Sequence, residues 1–374
     1  MSQKMKLPFF DVSRQYLPLK TEVLERFSQI LERQAFIGGD VVNQFEADVA
    51  KWTGAKHAIT VANGTDSLTL ALRALDIGHG DEVITTPYSF FASTGSILLT
   101  GAKPVFVDID PRTYNINAAL IEKAITPKTK AILPVHLYGQ CADMDAILAI
   151  AKKHKLFVVE DFAQSIGATD KGRQAGTMGT VGCTSFYPTK NLGGAGEGGL
   201  ITTNDDKLAE KVKMIRSHGM PKRYIHDVLG TNSRMNALQV SYLAVKLPLL
   251  KGYMTSRQKN AATYIEQLRP LTDKGLVLPY TAEGMTHVWN QFVVRVPKRD
   301  EVQKALAEEG IPTEIYYPMT IPEQKVLRGI CSDKGWTESE SAARTSLALP
   351  IFPEMTLDEH QSVIAAIQKV FARI

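Results

Sequence analysis

Between residues 55 and 205 short apolar, β-branched runs alternate with segments whose apolar positions recur every three or four residues. The runs HAITVA, DEVITTP, KPVFVDI, TKAILPV, LFVVED, CTSFYP and GLITTN predict strands. SLTLALRAL puts Leu68, Leu72 and Leu75 on one helical face, and MDAILAIAKKH has the same periodicity. Strand–helix alternation predicts a mainly parallel sheet with helices on both sides. A long helical stretch follows over 236–268, in which Pro248 predicts a kink or break. Beyond it the pattern changes. NQFVVRVP predicts a strand, RDEVQKALAEEG a helix ended by Gly310, IPTEIYYP a strand and LDEHQSVIAAIQKVFARI a closing helix. The expected fold class is α/β, with a large domain over 1–250 and a smaller C-terminal α/β domain over 251–374. A ligand is expected in the crevice between them.

A length of 374 residues agrees with two domains, since it exceeds one comfortable core. The formal charge of +4 comes without a basic run, so neither a nucleic-acid nor a membrane partner is expected. Cys141, Cys183 and Cys331 are widely spaced and lack a C-x-x-C pair, so no disulfide framework and no metal site is expected. The opening MSQKMKLPFF lacks the apolar core of a signal peptide, and no run approaches ~18 apolar residues. The expected location is the cytoplasm.

GAGEGG, Gly194 to Gly199, fits the letters of a dinucleotide-binding turn. That turn needs a helix after its glycines, because the pyrophosphate sits at a helix N-terminus. Here GLITTND follows, which reads as a strand and a turn. The glycines therefore serve something else.

Four stretches place polar groups at element ends. In ANGTDSL, Asn63-Gly64-Thr65-Asp66 lies between a strand and a helix, where free N–H groups, a hydroxyl and the helix dipole suit a phosphate, or where a plain helix cap sits. In LFVVEDFAQS, Asp161 emerges at a strand end, as a cap or as the partner of a cationic ligand group. In TSFYPTK, Ser185 and Lys190 precede the glycine run, and a lysine in apolar and glycine surroundings suggests an amine that forms a Schiff base. In YSFFAS, an aromatic could stack on a flat ring. A phosphate cradle, a carboxylate, an aromatic plane and a candidate Schiff-base lysine are the parts of a pyridoxal phosphate site.

The order ANGTDSL, DEVITTPYSFFAS, PVFVDIDPRTYNI, VHLYGQCADMDAI, VVEDFAQSIGA, TSFYPTKNLGGAGEGG and GTNSRMNALQ resembles the DegT-type nucleotide-sugar aminotransferases. The resemblance extends from FIGGDVVNQFE to ALPIFPEMT. It implies a pyridoxal phosphate-dependent transferase of fold type I, the aspartate aminotransferase fold. It makes Lys190 the Schiff-base lysine and proton shuttle, and Asp161 the partner of the pyridine nitrogen. Gln164 would lie near the ring hydroxyl, Gly64, Thr65 and Ser185 at the phosphate, and Phe90 on the ring. In such enzymes two subunits share each site, so Asn232 would reach the phosphate and Arg234 the substrate across a homodimer interface. Phe36, Thr189, Tyr316 and Tyr317 match sugar-site positions.

The chain departs from many relatives in having Tyr316-Tyr317-Pro318 where they have His-Tyr-Pro, and Asp40 where proline is frequent. The implied reaction is amino transfer, with glutamate as donor, to a keto group of a nucleotide-linked hexose. The stretches DIDPRTYNI, LYGQCADMDAI and NSRMNALQ look most like relatives that make 3-amino sugars, including 3-amino uronic acids of surface polysaccharides such as O-antigen. A 4-keto-6-deoxy sugar is the runner-up. Sugar dehydratases of this fold carry histidine in place of the lysine, a lyase or racemase could share the fold, and a regulatory protein could keep the fold without catalysis.

Overall fold

A computed structural model describes residues 7–332 and 334–373. The alternation over 55–205 becomes seven strands: β1 (His57–Val61), β2 (Glu82–Thr85), β3 (Lys103–Phe106), β4 (Thr129–Ile132), β5 (Phe157–Asp161), β6 (Val181–Ser185) and β7 (Gly199–Thr203). They form one sheet in the order β1-β7-β6-β5-β4-β2-β3. β7 runs antiparallel to β1 and β6, while β6, β5, β4, β2 and β3 pair in parallel. The reversal has a consequence for the site. Parallel neighbours need a crossover, but an antiparallel pair can be joined directly. Residues 186–198 join β6 to β7 in this way, and they include Lys190.

The main helices are α1 (Lys20–Arg33), α2 (Asp40–Thr53), α3 (Gly64–Ala74), α4 (Ala92–Leu99), α5 (Met144–His154), α6 (Asp206–Ile215), α7 (Ala237–Lys246), α8 (Leu250–Leu268), α9 (Arg299–Glu308) and α10 (Leu357–Phe371), with further ones at Ser13–Tyr16, Ala118–Ile121 and Thr337–Thr345. Asn63 caps α3, its Oδ1 accepting the Asp66 amide at 2.8 Å. Leu68 and Leu72 are buried in the main core and Leu75 packs against it, as the shared face predicts. Pro248 sits in the 3₁₀ turn Leu247–Leu249 that separates α7 from α8. A ring without an N–H is tolerated there.

A second core gathers Leu268, Phe292, Leu347, Val363 and Ile367, with Leu7 among them. Within it β8 (Phe292–Arg295) pairs antiparallel with β9 (Ser346–Leu349). The strand expected at IPTEIYYP does not form. Glu314 makes one bridge to Ala348, and the chain then leaves the sheet. Pro312 and Pro318 cannot donate to a ladder, and the Tyr317 amide goes to the Tyr88 hydroxyl at 2.9 Å instead. CTSFYP is likewise a strand only to Ser185, and its last three residues begin the loop after β6.

Candidate active site

The C-terminal ends of β1, β5 and β6 open on one edge of the sheet, where open α/β folds bind ligands. Asp161 is the last residue of β5 and is 5% exposed. Its Oδ2 accepts from Ser93 Oγ at 2.8 Å and its Oδ1 from the Ala163 amide at 3.1 Å. Burial pushes its pKa up, and the bonds from Ser93 and Ala163 and the charge of Lys190 pull it down. A carboxylate held this way is oriented, sparingly hydrated and suited to a cationic partner.

Lys190 is half-buried on the 186–198 connection. Loss of hydration lowers its pKa to about 8, against the opposing pull of Asp161. Its backbone amide donates to the Tyr187 carbonyl at 2.9 Å, and the Gly194 amide closes the turn on the Phe186 carbonyl at 2.7 Å. β7 starts directly at Gly199, which bears out the strand expected after the glycine run.

At the N-terminus of α3 the first-turn amides of Gly64 and Thr65 have no partner within the helix. Ser185, at the end of β6, lies against this turn. A Cβ on Gly64 would come within 2.6 Å of Ser185 Cβ, so glycine is what allows the helix start and the serine to meet. Two amides, two hydroxyls and a helix dipole then converge on one point, which fits a phosphate.

A tyrosine cluster forms one wall. Tyr88 Oη donates to the Tyr316 carbonyl at 2.7 Å, and Tyr138 Oη donates to the same carbonyl. Gln164 Nε2 donates to the Tyr317 hydroxyl at 3.1 Å, while its Oε1 accepts the Tyr138 amide at 2.8 Å. Phe90 is 59% exposed, with its ring centroid 6.3 Å from that of Tyr317. Ser93, Tyr88 and Tyr138 are site residues that the sequence reading missed. Ser93 and Tyr88 stood in YSFFAS, the stretch singled out for its aromatics, but nothing local indicates their partners.

Of the remaining expected residues, Asn232, Arg234 and Phe36 gather around the 232–237 segment, and Thr189 adjoins Lys190 on the 186–198 connection. The Ser233 carbonyl accepts the Ala62 amide at 3.0 Å and Ser233 Oγ donates to Asp66 at 2.7 Å, which pins the segment beside α3. Arg234 donates to Asn232 Oδ1 at 2.9 Å. Ile37 bridges Asn236, and the Phe36 carbonyl accepts the Ala237 amide at 2.8 Å, so Phe36 travels with this segment. Asn232, Phe36 and Thr189 are exposed.

The model of the DegT/DnrJ/EryC1/StrS aminotransferase family matches residues 18–368. The chain belongs to this family. It is 48% identical to a pleiotropic regulatory protein of Geobacillus stearothermophilus, over 98% of this chain and 99% of that one. It is 43% identical, over 99% of both, to a UDP-N-acetyl-3-dehydro-alpha-D-glucosamine 3-aminotransferase of Acidithiobacillus ferrooxidans. A crystal structure of DesV of S. venezuelae in complex with a ketimine intermediate superposes with a TM-score of 0.96 at 39% identity, covering 99% of both chains. The protein is an aminotransferase, and its cofactor is pyridoxal phosphate. The residues fit that group. A buried oriented carboxylate, an amine ionising near pH 8 and an anion cradle narrowed by Gly64 occupy one edge of one sheet.

Proposed function

We propose that this aminotransferase moves an amino group from glutamate to the C-3 keto group of a nucleotide-linked hexose. The buried Asp161 beside Lys190, with its pKa of about 8, carries the aminotransferase chemistry. The C-3 position is supported by the name of the Acidithiobacillus relative. When bound, the cofactor supplies an electron sink. Asp161, aimed by Ser93 and the Ala163 amide, would pair with the ring nitrogen and keep it protonated. Lys190 would hold the cofactor through its Nζ, and that amine, when free, would carry a proton to and from the substrate. Gly64, Thr65 and Ser185 would hold the phosphate, Gln164 would stand near the ring hydroxyl and Phe90 would stack on the ring.

Phe36, Thr189, Arg234, Tyr316 and Tyr317 would bind the sugar nucleotide; Arg234 would do so from a second subunit, from which Asn232 would reach the cofactor phosphate. Exposed apolar side chains support a homodimer: Phe36 and Ile37 beside the 232–237 segment, and Tyr224 and Leu229 on the loop leading to it. The reading places the cofactor in a unit over 1–250 and the Tyr316–Tyr317 part of the sugar wall in a smaller one over 251–374. Among the described residues no helix is long and apolar enough to cross a membrane, which agrees with work in the cytoplasm on a soluble nucleotide sugar for surface polysaccharide or O-antigen assembly.

Product made from a panel of keto-sugar nucleotides with glutamate, examined by NMR, tests the proposal. An amine on C-3 is expected. An amine on C-4 of a 6-deoxy sugar overturns the C-3 position and leaves amino transfer standing. The name of the Geobacillus relative gives weight to a second reading, a regulatory protein. A colourless purified protein that takes up no cofactor would favour it.

A further inference from the structure

Lys246, the last residue of α7, is 2% exposed. Burying an ammonium is costly, and a methionine would fill similar space without that cost. The ammonium has a specific use. Its Nζ donates to the Gly193 carbonyl at 2.6 Å, three residues past Lys190. Gly193 is folded back on the same turn: a Cβ there would lie 2.1 Å from the Pro188 carbonyl oxygen and 3.1 Å from that of Lys190. A shift of Gly193 therefore moves the backbone of Lys190.

α7 also holds this connection from its other end. Gln239 Oε1 accepts the Ala195 amide at 3.0 Å and its Nε2 donates to the Gly196 carbonyl at 3.1 Å. Burial lowers the Lys246 pKa to about 8; Glu354 opposes that fall, and Arg257, spent on the Trp289 and Ile351 carbonyls at 2.9 Å each, adds to it. The Tyr242 ring centroid lies 5.4 Å from Nζ, and Tyr253 faces Glu354 and Tyr242 from α8.

We infer that Lys246 is a positioning residue for Lys190: its buried ammonium, fixed by α7, holds the Gly193 carbonyl and with it the turn that presents the reactive amine. The inference rests on the reading of Lys190 as the lysine that carries the cofactor. A charge-assisted bond of this kind is about twice as strong as a neutral one. Its removal leaves a carbonyl without a partner, loosens the turn and admits water to Lys190.

The test uses holoenzyme of Lys246→Met and Lys246→Gln, read by the pH titration of bound-cofactor absorption and by kcat and KM. Lys246→Met is expected to move the titration midpoint upward by about half a pH unit or more, because water reaching Lys190 relieves its desolvation. Its kcat should fall about tenfold or more while KM for the amino donor stays within about twofold, the signature of a misplaced reacting group. Lys246→Gln keeps a neutral donor and should shift the same way by less. A merely structural lysine would lower the melting temperature and leave the midpoint in place. An unchanged midpoint in whichever variant folds and binds cofactor overturns the inference. Lys190→Ala is treated with borohydride in parallel. If that variant still carries the cofactor covalently, the Lys190 reading fails first and takes this one with it. If it does not, a null result at position 246 bears on Lys246 alone.

Discussion

Ser93 donates to Asp161 Oδ2 at 2.8 Å, from the first turn of α4 to the last residue of β5. The two residues belong to different strand–helix units, yet Ser93, with the Ala163 amide, sets the direction of the Asp161 carboxylate beside Lys190. Asp161→Asn is nearly isosteric and removes only the anion. Its kcat should fall about 10²–10⁴-fold, the range for losing an electrostatic or acid–base partner. Ser93→Ala removes one neutral donor and should cost about tenfold. A near wild-type Asp161→Asn would reduce Asp161 to a structural group.

Lys190 is held at a pKa of about 8. An amine with a lowered pKa is more nucleophilic at neutral pH, since more of it is unprotonated. The rate at which apoprotein takes up pyridoxal phosphate should therefore rise with pH and level off above about 8. Asp161 raises the amine's pKa, so Asp161→Asn should move the midpoint down. Stopped-flow absorbance over pH 6–10 measures both; a midpoint near the usual lysine value would mean that the amine is solvated.

The proposed sharing of each site between two subunits makes a prediction about mixtures. Lys190→Ala and Arg234→Ala should each be inactive. Mixed dimers of the two should regain part of the activity, because one of their two sites then has both residues intact. Activity assays on verified mixed dimers decide this, and no recovery would assign both residues to the same subunit's site.

Arg14 meets Glu359 through two bonds, Nη1 to Oε2 at 2.8 Å and Nη2 to Oε1 at 2.6 Å, tying the N-terminal segment to the first turn of α10. The Arg14 bond is the main reason the Glu359 pKa drops to about 2, so the pair stabilises fully above the carboxyl's ordinary value of 4.5 and fades as pH falls toward 2. Arg14→Met should cost about 1.5–3 kcal/mol at pH 7, the range for hydrogen bonds to charged groups. That deficit should shrink below pH 4.5. Urea melts at pH 7 and pH 3.5 give the comparison, and an equal deficit at both would mean that Arg14 acts through packing alone.

The features legible in the chain are those with local causes. The alternation over 55–205, the Asn63 cap, the break at Pro248 and the exit of Asp161 from a strand all arise from neighbours a few residues apart. Lys190 stands out as a candidate on local grounds too, as a lysine in apolar and glycine surroundings, and the strand after its glycine run removes the dinucleotide-turn reading. The resemblance to a family then linked these points into one site.

Tertiary structure decided the rest. Sheet order, the reversal at β7 and the pairing of the short run SLAL with β8 depend on which strands meet, and a four-residue apolar run cannot specify that. Ser93 lies 68 positions from Asp161, Tyr88 lies 228 from Tyr316 and Lys246 lies 53 from Gly193. A side chain bonded to so distant a partner leaves no periodicity and no spacing in the sequence. It is identified only once folding has brought the two ends together, and IPTEIYYP illustrates the point. Its residues favour a strand, but the hydroxyl of Tyr88 takes the amide of Tyr317. The local preference lost to a contact that exists only in the folded chain.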